Sequence, residues 1–243
     1  MKIIKLDAID STNLFLKTLA AQESCENFTV VSTELQKEGR GQRGAVWASE
    51  VGKNLTFSVL YHQKINQITS LFALNIVVAL SVVDALKSVS NLNFKIKWPN
   101  DILAENKKIG GILIENTFKN QNEVQSIIGI GLNVNQENFQ NLPQASSIYV
   151  LENKILDRDT LLISIVNQLE MNLKQLSIVG EDYYWDAYHT ILFKKDMVST
   201  FEDISGKRFV GKIQQVTPEG KLEVMLEDDA VIHFDIKEVK MLY

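Results

Sequence analysis

Gly39-Arg40-Gly41-Gln42-Arg43-Gly44, with Trp47 three residues beyond, is the stretch on which the fold turns. As a bare pattern it fits G-x-G-x-x-G, the mark of a strand–turn–helix unit that cradles a dinucleotide. That unit needs a helix opening at the loop and an acidic residue about 20 positions on. Val30-Val31-Ser32-Thr33 can supply the preceding strand. The downstream residues do not comply. Asn54 to Tyr61 is rich in β-formers, no helical pattern starts at Gly44, and the residues near Val59 are apolar. The stretch reads instead as a loop whose glycines let backbone approach closely while its arginines hold fixed positive charge, suited to closing over an anion.

The rest of the composition narrows the setting. The chain has 243 residues, enough for one substantial core and a small appendage. A formal charge of −5 argues against a nucleic-acid binder working through a broad basic face. Cys25 is the single cysteine, which excludes an intrachain disulfide framework and fits a reducing, cytoplasmic setting. Leu71 to Leu86 is strongly apolar but broken by Asn75, Ser81 and Asp84, so it reads as a buried helix and not a membrane span. Met1 to Asp7 lacks the apolar segment of a signal peptide. His62, His189 and His233 are scattered and have no ligand spacing, so no dedicated protein metal cluster is expected.

Hydrophobic periodicity supplies the elements. Strands are expected at Ile3–Leu6, Val30–Thr33, Leu55–Tyr61, Phe94–Trp98, Ile109–Glu115 and Ser126–Asn133, the fourth stopped by Pro99. The turn between the last two falls on Lys119-Asn120-Gln121-Asn122. Helices are expected after Ser11, from Ile68 to Val89, from Asp159, and from Glu181 to Leu192. From Met197 onward the pattern changes to short β segments with turns at Pro218-Glu219-Gly220 and Glu227-Asp228-Asp229. The expected organisation is an α/β domain over 1–194 and a small β module over 195–243.

Four further segments carry polar chemistry: Ser11-Thr12-Asn13 at a helix start, Lys97-Trp98-Pro99-Asn100-Asp101 at a strand end, Lys107-Lys108-Ile109-Gly110-Gly111, and Gly129 to Asn135. Singly they are ordinary: polar clusters cap helices, paired glycines mark close packing, lysine pairs are solvated. Together, in this order and with the arginine–glycine loop, they resemble the biotin–protein ligases, also called biotin–[acetyl-CoA-carboxylase] ligases. The resemblance runs from the first strand to Glu238-Val239-Lys240. It implies an α+β fold, a mixed sheet packed with helices like that of class II aminoacyl-tRNA synthetases and biotin–lipoyl ligases, with a C-terminal SH3-like β-barrel. It also implies a two-step, ATP-dependent reaction. Biotin and ATP give biotinyl-5′-adenylate and pyrophosphate, and the acyl group then passes to one lysine of a biotin carboxyl carrier protein.

By the same resemblance Ser11, Thr12, Asn13 and Gln36 line the site of biotin's ureido ring, and a backbone amide near Gly111 adds a contact. Arg40, Gly41, Gln42 and Lys108 complete the biotin set. The adenylate side is assigned Arg40, Gln42, Arg43, Trp47, Asn100, Asp101, Lys108 and Asn133. Arg40, Arg43 and Lys108 are the catalytic candidates, with Mg²⁺ carried on the phosphates, because a carboxylate and an α-phosphate repel until cations neutralise them. Trp47 either walls the nucleotide pocket or is a core tryptophan under the loop. Asp101 orients Lys108 or Arg43, holds the metal, or caps a turn. The loop from Gln136 through Ser147 is expected to cover the adenine.

Two competing readings share the pocket: a lipoate or octanoate ligase or transferase of the same fold, and a non-catalytic biotin sensor. The arginine–glycine loop with Lys97 to Asp101 belongs to the biotin branch, and three cations exceed what a sensor needs. Some relatives carry an N-terminal helix-turn-helix module, but here Ser11-Thr12-Asn13 lies almost at the first residue, so no DNA-binding role is expected. Relatives dimerise through sheet edges, which leaves homodimerisation open. The chain also departs from the pattern at Gln42, where many members have arginine, and the expected consequence is a weaker grip on the adenylate. Adenylate dissociation is expected to slow in Gln42→Arg; release as fast as, or faster than, that of the unmodified chain would overturn this.

Overall fold

The computed structural model describes the whole chain except residues 65–69, 120–122 and 141, together with the side chains of Arg43 and Lys64. A seven-stranded sheet is the frame. Its strands are β1 (Lys2–Ile9), β2 (Thr29–Gln36), β3 (Leu55–Lys64), β4 (Phe94–Lys97), β5 (Asp101–Ala104), β6 (Lys107–Phe118) and β7 (Glu123–Leu132). They lie in the order β1-β2-β3-β7-β6-β5-β4, with β1 and β2 parallel and every other pair antiparallel.

Strand alternation sorts the side chains onto two faces. One face sends Val30, Phe57, Val59, Ile112, Ile128 and Ile130 into the large core. Three helices build that core with them: α2 (Leu71–Lys87), capped by Ser70; α4 (Arg158–Val179), capped by Asp157; and α5 (Glu181–Ile191). Between β7 and α4 the chain makes one further short helix, α3 (Ile148–Glu152). The other face buries only a small patch, Leu16, Val31, Leu60 and Ile127, under α1 (Thr12–Gln22). Because α1 is short and covers only β2, β3 and β7, part of this second face stays open. That opening is where the polar segments converge.

The sequence-based elements are present, with corrected ends. The α2 helix begins after Ser70, while the expected start at Ile68 lies outside the described residues, as do Asn120, Gln121 and Asn122 of the β6–β7 turn. The segment after Pro99 is not only a turn: the peptide before Pro99 is cis and the chain re-enters the sheet at once as β5. Asp101-Ile102-Leu103-Ala104 has no apolar–polar alternation, and the five residues of α3 are too few for a helical period, so neither element had a signal in the sequence.

The C-terminal segment forms a five-stranded antiparallel sheet from β8 (Val198–Asp203), β9 (Arg208–Val216), β10 (Leu222–Leu226), β11 (Val231–Phe234) and β12 (Val239–Leu242), in the order β11-β10-β9-β8-β12. It is not loosely attached. Phe201, Ile213, Val216, Leu222 and Val224 belong to the same continuous core as the large sheet. Trp98 Nε1 donates to the carbonyl of Gly220 at 2.9 Å, and His189 Nε2 accepts from the backbone N–H of Val216 at 3.1 Å. Gly220 sits at φ +87°, and a Cβ there would come within 2.5 Å of the Phe72 ring. Gly220→Ala therefore combines left-handed strain with overpacking at the seam between the two sheets. It is expected to lower stability by about 2 kcal/mol in denaturant unfolding; an unchanged midpoint would show that the seam does not hold the sheets together.

Candidate active site

The open face is floored by glycine. On β7, Gly129 and Gly131 point toward it, with Ser58 and Thr56 of β3 beside them on one side, and Leu113 and Gly111 of β6 on the other. The residues that stand on these two glycines define two halves of one cavity of about 500 Å³.

Over Gly129 stands Asn13. A Cβ at Gly129 would overlap its amide oxygen. Ser11 caps α1 by accepting from the backbone N–H of Leu14, which turns Thr12 and Asn13 down into the sheet. Gln36 Oε1 accepts from the backbone N–H of Thr12 at 2.8 Å. Asn13 Oδ1 accepts from Ser58 Oγ at 2.6 Å, and Asn13 Nδ2 donates to Glu115 Oε2 at 2.7 Å. The groups of this half that line the cavity, Ser11, Thr12, Asn13 and Gln36, are uncharged and hydrogen-bonding, and the Glu115 carboxylate stands behind them.

Over Gly131 stands Trp47. A Cβ at Gly131 would come within 2.5 Å of the indole ring. The arginine–glycine loop brings Trp47 there by folding back on itself as a small hairpin: Trp47 N–H donates to Gly39 O at 2.9 Å, Gly41 N–H donates to Ala45 O at 2.7 Å, and Gln42–Gly44 makes a 3-10 turn. A side chain at Gly39 would run into the Trp47 carbonyl, so only glycine allows this closure. Trp47 is thus both packed on the sheet and part of the cavity wall, which joins the two alternatives that the sequence left open. Its Nε1 and Gln42 Oε1 are buried without a hydrogen-bond partner among the described residues. Each such atom costs about 1–3 kcal/mol, which a ligand that paired with it would remove.

The cationic half lies beyond Gly111. Asp101, at the start of β5, is opposite Gly111 and holds Lys108 Nζ at 2.6 Å. Its other oxygen lies 3.8 Å from Lys97 Nζ. Asp101 therefore orients Lys108, one of the roles open from sequence. Burial pulls the Lys97 ammonium below the usual lysine range; Asp101 opposes this, while Lys108 and Lys240 push it further down. The Lys97 ammonium also sits 5.0 Å from the ring centre of Tyr243, whose phenol is pushed up to about 12 by burial and the Asp101 charge.

Most of the sequence-derived residues meet in this cavity: Ser11, Thr12, Asn13 and Gln36 at the neutral end, Arg40, Gly41, Gln42 and Trp47 on the loop, and Asn100, Asp101, Lys108 and Gly111 at the cationic end. Arg40 is largely exposed, 3.9 Å from Glu38. The Arg43 side chain lies outside the described residues. Asn100 also works for the fold, donating to Ile112 O at 2.6 Å. Asn133 is not among the residues that line the cavity. Its Nδ2 donates to Ser146 O at 3.0 Å and its N–H to Ile109 O at 2.7 Å, which pins the segment that pairs with the Lys108 backbone. Sequence reasoning named Lys97 only as part of its strand-end segment, with no role assigned, and passed over Ser58, Glu115 and the rim that the C-terminal sheet supplies through Glu202, Asp203 and Lys240. Lys97 had a signal, since it stands four residues before Asp101. Ser58 and Glu115 had none, because only strand register puts them beside Asn13.

The chain as a whole resembles proteins of known family. Residues 6–133 match the model of the biotin/lipoate A/B protein ligase family. The bifunctional ligase/repressor BirA of Escherichia coli K12 is 27% identical over 232 residues, 93% of this chain and 70% of that one. The biotin–[acetyl-CoA-carboxylase] ligase of Mycobacterium tuberculosis is 30% identical over 168 residues, 68% of this chain and 61% of that one. The biotin protein ligase of Aquifex aeolicus, solved in complex with biotin and ATP, superposes with a TM-score of 0.82 at 26% identity, covering 99% of this chain and 98% of that one.

The glycine floor can be tested without a ligand. Gly131→Ala is expected to destabilise the protein by about 1–3 kcal/mol, as an inserted methyl does in a packed site. Most of that loss should vanish in a Trp47→Ala background. An equal loss in both backgrounds, measured in a denaturant double-mutant cycle, would show that Trp47 does not rest on Gly131.

Proposed function

The chain belongs to the biotin/lipoate A/B protein ligase family, and from that premise we propose that it is an ATP-dependent biotin–[acetyl-CoA-carboxylase] ligase. It activates biotin as biotinyl-5′-AMP and transfers the biotinyl group to a lysine of a biotin carboxyl carrier protein. The observation that carries this is the polarity of one cavity, neutral and hydrogen-bonding over Gly129, cationic beyond Gly111. A ureido ring has donors and an acceptor to place at the first end. A carboxylate and a triphosphate have charge to place at the second. The dithiolane of lipoate or the alkyl chain of octanoate would leave the Asn13 end unpaired, a mismatch that such sites reject strongly. The names of the relatives from Mycobacterium tuberculosis and Aquifex aeolicus support the biotin branch.

In the first step the biotin carboxylate attacks the α-phosphorus and pyrophosphate leaves. Lys108 is the cation best placed to neutralise both reactants, because Asp101 fixes its ammonium on the cavity wall at 2.6 Å. Arg40, exposed on the loop, is free to reach phosphate. The unpaired Trp47 Nε1 and Gln42 Oε1 offer a donor and an acceptor to the bound adenylate. In the second step the carrier's own lysine attacks the acyl carbon and AMP departs, so this chain supplies no nucleophile. Its task is to keep the mixed anhydride from water, which the loop hairpin and the rim of the C-terminal sheet do by narrowing the mouth.

Magnesium enters as part of the nucleotide. Among the described residues no three metal-binding side chains cluster, and both oxygens of Asp101 face lysines, so the cation would be carried on the nucleotide's phosphates with its remaining positions filled by water. Bound there, it would lower the charge of the phosphates. We assign adenylation to residues 1–194, with 195–243 completing the site's rim. No described helix is long and apolar enough to cross a membrane, and a cytosolic setting suits the one free thiol, Cys25.

Pyrophosphate–ATP exchange is expected with biotin and not with lipoate or octanoate. Exchange with lipoate or octanoate instead would move the protein to the other branch, and exchange with none of the three would make it a sensor. In the same assay Lys108→Ala should slow adenylation by about 10²–10³-fold, the range found for lost transition-state donors, while biotin affinity changes only a few-fold. The reverse pattern would make Lys108 a binding residue.

A further inference from the structure

Asn13 is held in a way that fixes which end of its amide faces the ligand. Its amide lies across three strands, above the rung formed by Ser58 of β3, Gly129 of β7 and Leu113 of β6. On the β6 side both neighbours are acceptors: Nδ2 donates to Glu115 Oε2 at 2.7 Å and to Leu113 O at 3.3 Å. On the β3 side the single Ser58 hydroxyl hydrogen has two acceptors in reach, Oδ1 at 2.6 Å and Thr12 Oγ1 at 2.8 Å, so the amide's orientation is set from the β6 side. Both amide hydrogens are therefore spent within the protein, and one lone pair of Oδ1 remains for the cavity.

We propose that Glu115 is a positioning residue for substrate specificity: it locks Asn13 as a pure hydrogen-bond acceptor, so that the ring site takes a ligand with an N–H donor. Glu115 is half-buried and stands behind Asn13, which itself lines the cavity. A carboxylate can only accept, so a flipped Asn13 would set oxygen against oxygen at both Glu115 and Leu113. A glutamine or alanine at 115 would lift the stronger part of that prohibition and leave only the longer contact with the Leu113 carbonyl. Gly129 completes the device, since any side chain there would displace the Asn13 oxygen. The inference rests on the ligase reading above and names what selects its substrate. A biotin-like ureido ring has the N–H donor required; a dithiolane and an alkyl chain do not.

The test compares the unmodified protein with Glu115→Gln and Glu115→Ala, measuring biotin Kd by calorimetry, KM for biotin and for ATP, kcat of adenylation, and Tm. Biotin Kd and KM are expected to rise by about tenfold in Glu115→Ala, the worth of one charge-assisted hydrogen bond. The rise in Glu115→Gln should be smaller, about threefold, because its amide can still accept from Asn13. KM for ATP and kcat should stay within about twofold, since neither the phosphates nor the reacting carboxyl touches Asn13. Biotin binding that stays as close as that to the unmodified protein in both variants would overturn the proposal. So would parallel losses for biotin and ATP that track a falling Tm, since that is a structural role. If Glu115→Ala does not fold, the isosteric glutamine variant decides by the same criteria. Failure of the unmodified protein to bind biotin at all would sink the ligase reading and this inference together, whereas normal binding with insensitive variants sinks the inference alone.

Discussion

Two missing Cβ atoms on β7 govern this molecule. A sheet face normally carries a side chain at every second residue, and α1 would have to close over it to keep water out. At Gly129 and Gly131 the face is instead recessed, and Asn13 and Trp47 rest in the space. One is brought by a helix cap and the other by a hairpin, from segments far apart in sequence. Neither could approach a strand with ordinary side chains. The cavity is thus a property of the sheet's register, in which Gly129 falls beside Ser58 and Leu113, and Gly131 beside Thr56 and Gly111.

Register also separates the two kinds of chemistry. One rung holds Asn13, whose amide hydrogens are taken by Glu115 and Leu113 while its oxygen keeps a lone pair for the cavity, an arrangement in which a buried polar network is rigid and selective. The neighbouring rung leads to Asp101, which lies between two lysines. A carboxylate there offsets the mutual repulsion of Lys97 and Lys108 when the cavity is empty. The seam with the C-terminal sheet serves the same end. Tyr243 lies against Lys97 and Phe193, and Trp98 is anchored to Gly220, so the strand-end turn that carries Asp101 is buttressed by residues from the far end of the chain. The C-terminal sheet is part of the site's architecture and not an appendage to it.

Much of this was legible in the chain. The helix cap at Ser11, the arginine–glycine loop and the change of pattern after Met197 are local signals, and each corresponds to an observed element. The turn at Pro99 was legible but its sequel was not: β5 is four residues long, and its pairing with β6 includes a register shift that no alternation could announce. Asn133 reads as a site residue by its neighbours in sequence, and in the structure its Nδ2 donates to Ser146 O, a contact the sequence did not signal.

By itself the sequence determined the residue types that the chemistry needs, since glycines at close approaches, a carboxylate paired with lysine, and small polar groups at a helix start are written in short local runs. Only the tertiary structure decided which of them touch. Ser58 and Glu115 reach Asn13 through strand register, and a shift of one residue would turn both to the opposite face. Register is set by the packing of the whole sheet against α2, α4 and α5, a constraint spread over the entire core and recorded in no single stretch of the chain.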